Sequence, residues 1–138
     1  MTQEKKDLKD LLLRDLCGRL PYKVMAQYYD PEDECETWDE IEGIESSGHV
    51  EIGQYVLPIE NIKPYLFPMS SMTKEQRNEF YTKTFEIMFG EVVCKKNDEI
   101  GYGELMACEL DFYNKHHLDW MGLIPKGLAI DATNLNIY

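Results

Sequence analysis

The sequence predicts an α+β fold, and three observations carry that reading. An apolar period of about 3.6 residues runs from Asp7 to Leu20 and stops at Pro21. Four short runs of β-preferring residues, separated by turn signals, fill 22–57. Thr73 and Gln76 then stand at capping-box spacing and open a half with helical periodicity.

The first helix is amphipathic. Leu8, Leu12 and Leu16 follow an i, i+4 stripe, and Leu13, Cys17 and Leu20 continue it around one side. Lys5, Lys6, Lys9, Asp10, Arg14 and Asp15 are expected on the other side. Residues 1–6 are polar and expected to fray.

The β-rich part starts with Tyr22–Tyr29 and passes through an acidic loop at Asp30–Glu34. Thr37–Glu45 forms a second strand in which Gly43 marks a bulge or bend. Ser46-Ser47-Gly48 turns the chain into a short strand at His49–Ile52. Gly53-Gln54 has the chemistry of a type II′ hairpin, and Tyr55–Leu57 returns. One helical turn is expected at 59–62. A strongly bent meander closed by such a turn is the pattern of a small SH3-like barrel or a curled antiparallel sheet.

Pro58, Pro64 and Pro68 punctuate the next stretch, and Tyr65, Leu66, Phe67 and Met69 are too apolar for a free linker. Residues 63–72 are therefore read as a strap packed on the core. Thr73–Phe89 is the second helix, with Tyr81, Phe85 and Met88 on one stripe and Gly90 as its left-handed end. Val92-Val93-Cys94 suits a short strand and 95–98 a turn. Glu104–Leu118 is the third helix, apolar on two sides and so expected to be largely buried. The rest, with Gly122, Pro125 and Gly127 among apolar residues, reads as an irregular packed segment, loose beyond Ala132. The whole is expected to be one domain, with a β-rich part at 22–62 and a helical part at 73–130.

Charge narrows the function. With 14 basic against 26 acidic residues, the net charge is −12. Such a chain repels phosphate backbones and anionic lipid heads, so direct nucleic-acid binding is disfavoured. No apolar run reaches the roughly 18 residues of a membrane span. The four cysteines are scattered, with no CxxC pair, and no apolar leader precedes the first helix, so a reduced, cytoplasmic setting is expected.

Two constellations could carry function. His116 and Asp119 stand at i, i+3, which on a helix places both on one face as candidate metal ligands or as an oriented acid–base pair. Adjacent His117 points elsewhere, and a third ligand, such as His49 or Cys35, would have to come from another segment. The alternative is that both histidines simply end the helix, where imidazoles suit the last carbonyls. The second constellation is the acidic run from Asp30 to Glu45, which holds no Lys or Arg. Asp33, Glu34, Glu36, Asp39 and Glu40 are its candidate partner-binding residues, for a basic protein surface or as a mimic of a nucleic-acid backbone. Otherwise it is a solvated face. An EF-hand reading is weak, because the glycine and terminal glutamate of that loop are missing. No GxSxG, phosphate-binding glycine loop or HExxH occurs. No cofactor is implied.

Three segments, LLLRDLCGRLPYKV at 11–24, IKPYLFPMSSMT at 62–73 and HHLDWMGLIPKGLAI at 116–130, together resemble a family of small uncharacterised proteins encoded by bacteriophages and prophages of gut bacteria. That family tends to have Gly where Lys23 stands, and Arg where Phe67 and Met121 stand. The resemblance implies a phage or prophage accessory role and supplies no activity or catalytic residue. The combined expectation is a non-enzymatic accessory protein that binds a partner through its acidic face. The competing expectation is a metal-binding or hydrolytic protein with a site around His116, His117 and Asp119.

Overall fold

The computed structural model describes residues 2–85 and 101–138, without the side chains of 101–105. The expectations for residues 86–100, among them Met88, the Gly90 helix end, the Val92–Cys94 strand and the turn at 95–98, lie outside the described residues.

Helix α1 spans Gln3–Arg19. The Thr2 hydroxyl accepts from the Lys5 amide at 3.2 Å as its N-cap, and Pro21 follows its last turn. Residues 3–6, expected to fray, are therefore helical. Its buried stripe is Leu12, Asp15, Leu16 and Arg19. Asp15, expected on the polar side, lies inside because the stripe turns about 100° per residue and passes through positions 12, 15, 16 and 19. The same rotation carries Cys17 outward, and it is exposed rather than packed.

The sheet runs β1 (Met25–Asp30), β2 (Cys35–Ile44), β3 (His49–Ile52) and β4 (Tyr55–Pro58) as an antiparallel meander. A 3-10 turn at Ile59–Asn61 then leads into β5 (Ile62–Leu66), which returns to pair with β1. This is the bent meander and closing turn expected from the sequence. The register of β2 on β3 slips between Ile41 and Gly43, where the bulge was expected. Gly53 has φ 61°, as the first central residue of a type II′ hairpin requires. The strand order is β4-β3-β2-β1-β5-β6, with β6 (Ile130–Asp131) added parallel to β5. The sheet is therefore mixed and open, not the closed SH3-like barrel or the all-antiparallel sheet expected, because β6 adds in parallel at the β5 edge.

The expected strap at 63–72 is thus half strand. Pro64 is tolerated there because β5 carbonyls of its parity face β6: Leu66 O accepts from Ala132 N at 2.8 Å. The β5–β6 pairing begins only at Tyr65, so the missing N–H of Pro64 removes no ladder bond. Another 3-10 turn, Met69–Ser71, precedes α2 (Lys74–Phe85). The capping box is present in both directions, with Gln76 N–H to Thr73 Oγ1 at 3.1 Å and Thr73 N–H to Gln76 Oε1 at 2.9 Å.

Helix α3 covers Gly101–Lys115 and ends before the expected Leu118. It packs on α2 through Phe80, whose ring lies 5.2 Å from Phe112 and 5.6 Å from Tyr113. The expected α2 stripe faces outward instead, with Tyr81 and Phe85 exposed. Nor are the described side chains of α3 largely buried: Phe112 and Asn114 are inside, and Met106 is exposed.

Two clusters stabilise the sheet. On its inner face Ala26, Tyr28, Ile41, Val50, Ile52, Ile62 and Leu66 pack beneath Leu12 and Leu16 of α1 and against Leu123 and Ala129. Each such aliphatic side chain contributes roughly 1.5–3 kcal/mol by burial. On the outer face Met25 and Tyr65 pack with Ala132, Phe67, Ile130 and Ile137. The C-terminal segment, expected to be loose, is tied down. The Tyr138 hydroxyl donates to Tyr65 O at 2.8 Å and accepts from Met25 N–H at 3.0 Å.

Candidate functional site

The histidine constellation is split by the backbone. Helix α3 closes with Leu118 N–H on Tyr113 O and His117 N–H on Asn114 O, a Schellman arrangement. His117 occupies its left-handed position, with φ 58°, where glycine is usual. The i, i+3 spacing of His116 and Asp119 therefore does not lie on one helix face. His116 Nδ1 lies 3.3 Å from Gln76 Nε2, and its Nε2 lies 3.3 Å from Glu79 Oε2. Partial desolvation pushes the Glu79 carboxyl up, but Lys83, His116 and Lys115 outweigh it and place it below its ordinary value.

Asp119 serves a different purpose. It is buried, and its two oxygens accept from Leu123 N–H at 2.7 Å and Ile124 N–H at 2.9 Å. It fixes the irregular segment after α3. His117 stacks on Tyr138 with ring centroids 3.6 Å apart. Burial, then Arg19 and His116, push its pKa down to about 4. His49, the imagined third ligand, has Nδ1 3.1 Å from Ser47 Oγ. Among the described residues no three His, Cys, Asp or Glu side chains converge on a metal-sized site.

Sequence reasoning missed the main polar cluster of the interior. Arg19 Nη2 donates to Asp15 Oδ2 at 3.1 Å and to Leu118 O at 2.6 Å, with both side chains buried. Nearby Asn114 donates to Gly18 O and accepts from Trp120 Nε1–H. These bonds join the end of α1 to the segment after α3. The signal was present as the i, i+4 pair Asp15–Arg19, but such pairs normally mark an exposed helix face.

The acidic run builds a surface. Residues opposed across two strands share a face. Ala26 and Tyr28 point inward, so Met25, Gln27 and Tyr29 point outward. Their partners on β2 are Glu40, Trp38 and Glu36. The outer face of the β1–β2 hairpin thus reads Glu36, Trp38, Glu40 along β2, with Tyr29 and Gln27 beside them. Trp38 is 46% exposed and Tyr29 51%, although the Trp38 indole also meets the Tyr65 ring edge-on at 6.5 Å. Glu36 and Glu40 are exposed, and neither is in an ion pair among the described residues.

The five candidate carboxylates do not all share this face. Asp33 and Glu34 sit in the β1–β2 turn, where Glu34 takes φ 52°. Asp39 opposes Ala26 and so belongs to the inner side, near the Gly53 hairpin. Asp30 organises the turn: it accepts from Tyr55 Oη at 2.9 Å and from the Glu32 and Asp33 amides. The Tyr55 bond, opposed by desolvation and helped by those amides, places its carboxyl below the ordinary value. Chemically the outer face offers two carboxylates about 7 Å either side of an indole, since a strand rises roughly 3.3 Å per residue. That arrangement suits cations that also stack on an aromatic ring.

Compared with protein-family models, curated proteins and solved structures, the chain matches none.

Proposed function

We propose that this is a non-enzymatic binding protein that receives a basic protein surface on the outer face of its β1–β2 hairpin. One observation carries the reading: Glu36, Trp38 and Glu40 stand in a row, exposed, with Tyr29 alongside and no basic residue in ion-pair contact with the two glutamates among the described residues. An arginine-rich or lysine-rich surface would gain cation–π contact with Trp38 and charge pairing with its neighbours. The resemblance to phage and prophage proteins makes a cytoplasmic accessory role in an infected or lysogenic cell part of the same proposal.

The test is affinity capture from host cytoplasm with the wild type, with Glu36→Lys/Glu40→Lys and with Trp38→Ala. A partner retained by the wild type and lost from both variants supports the reading, and its capture weakens as salt rises. A partner retained equally by all three removes this face from consideration.

A further inference from the structure

The charge distribution is inverted around one groove of the described residues. A groove of about 550 Å³ runs between the N-terminal half of α1 and the β5 edge. Its floor is apolar, formed by Leu8, Leu12, Ile62 and Leu128. Its rim carries Lys5, Lys9 and Lys63 against the single carboxylate of Glu60. Three of the chain's 14 basic residues therefore surround one opening in a molecule of net charge −12. Lys9 lies 3.6 Å from Glu60, while Lys5 and Lys63 are in no ion pair among the described residues.

Helix geometry explains the groove. The α1 stripe that buries Leu12 and Leu16 continues backward through Leu8 and Lys5, with Lys9 beside it. From Lys5 to Leu12 the helix rises about 10 Å. The core beneath this stretch thins out, so the stripe passes from a filled interface to an open trough. The lysine stems extend its apolar walls while their ammonium groups stay in water. The size falls within the range of roughly 300–1,000 Å³ typical of small-molecule sites, here with an apolar floor under a charged rim.

We propose that this groove binds an anionic amphiphile, a medium-chain to long-chain carboxylate whose hydrocarbon lies along Leu8, Leu12, Ile62 and Leu128. Its carboxylate meets Lys5 and Lys63. The choice of a negative head rests on the local charge: a cationic head meets three ammonium groups, and a neutral one leaves Lys5 and Lys63 unused. Lys63 stands opposite Gln27, beside the β1–β2 outer face, whereas Lys5 lies on α1 away from it, so Lys5→Glu is the variant that separates this site from the docking face.

The test is isothermal titration, with native mass spectrometry for stoichiometry, using hexanoate, octanoate, decanoate and dodecanoate below their micelle concentrations. Each added methylene that reaches the floor tightens binding by up to about fourfold, with a plateau once the trough is filled. Dodecyltrimethylammonium, with the same tail and the opposite head, binds at least about tenfold more weakly. Lys63→Glu, an exposed strand position, weakens dodecanoate without changing the melting temperature of the free protein, and Lys5→Glu does the same from the helix side. One-to-one binding with this length and charge dependence supports the proposal. No saturable binding, equal affinity for the two head charges, or affinity unchanged in both lysine variants overturns it. Binding to vesicles of anionic lipid without binding of monomeric dodecanoate also overturns it, in favour of a membrane surface.

Discussion

Replacing Arg19 with methionine isolates the buried ion pair. Arg19 and Asp15 have side chains with no exposure, and the Asp15 carboxylate has Arg19 as its hydrogen-bond partner among the described residues. Methionine fills most of the arginine volume, so packing is largely kept. What is lost is the donor to both Asp15 oxygens and to Leu118 O. Removing one member of a buried pair costs about 3–5 kcal/mol, because the other charge stays inside unpaired. For a chain of this size that lowers the melting temperature by on the order of 10 °C. Replacing both, Asp15→Leu with Arg19→Met, is expected to recover most of the loss, since apolar isosteres of buried pairs are often neutral or stabilising. The sign of the pH dependence is a second check. Burial raises the Asp15 pKa despite Arg19. A raised carboxyl favours the protonated fold, so its contribution is present at low pH and lost as pH rises through the folded value. In Arg19→Met that value rises further, and the deficit seen at pH 7 shrinks on acidification. Urea unfolding of the wild type, both single variants and the double variant at pH 7 and pH 5 measures all of this. A loss under about 1 kcal/mol in Arg19→Met, or a double variant as unstable as the worse single one, refutes the reasoning.

His117 makes the fold acid-sensitive in a defined window. Its pKa falls from 6.5 to about 4 on folding, so the folded state binds fewer protons and stability declines as pH drops from 6.5 towards 4. The span is on the order of 3 kcal/mol. His117→Asn, which tolerates φ 58°, removes that slope while the carboxylate slope below it remains, as melting curves across this range report. Gly53→Ala destabilises the β3–β4 hairpin by about 1–3 kcal/mol, because a Cβ there would lie 2.5 Å from Tyr28 Oη at a φ of 61°. Thermal denaturation measures it, and Tyr28→Phe in the same chain returns only the steric part.

Short-range chemistry was legible in the sequence and long-range pairing was not. The Thr73–Gln76 box and the Gly53 hairpin each depend on residues within a few positions, and both formed as read. The β5 strand was hidden because Pro64 argues locally against a ladder, and only the parity of β5 towards its late-starting neighbour β6 makes it harmless. β6, two residues long, has no local signature, since its pairing with Tyr65 and Leu66 crosses more than sixty positions. The backbone rearranged the candidate residues for similar reasons. The His116–Asp119 face assumed that the helix continues, and the left-handed His117 ends it. A non-glycine residue in that conformation leaves no warning in a single sequence. The acidic run was visible as composition, but strand alternation sorts it, placing Glu36 and Glu40 with Trp38 on one face of β2 and Asp39, still exposed, on the other.

That sorting is what the docking proposal rests on, against the reading of the acids as a solubility device. Carboxylates scattered for solubility need no aromatic among them, and an indole at 46% exposure on a strand invites unwanted association. Here the indole is anchored by Tyr65 at one edge and flanked by glutamates, which discourage apolar or acidic partners. In the proposed docking, the two residue types act on different steps of binding. On that proposal the glutamates draw a basic surface in at long range, and their reversal is expected to slow association and flatten its salt dependence. Trp38 contributes only once the surfaces touch, so its truncation speeds dissociation and leaves the salt dependence of association alone. A row of acids without this division would show one kinetic effect; Glu36, Trp38 and Glu40 are arranged to show two.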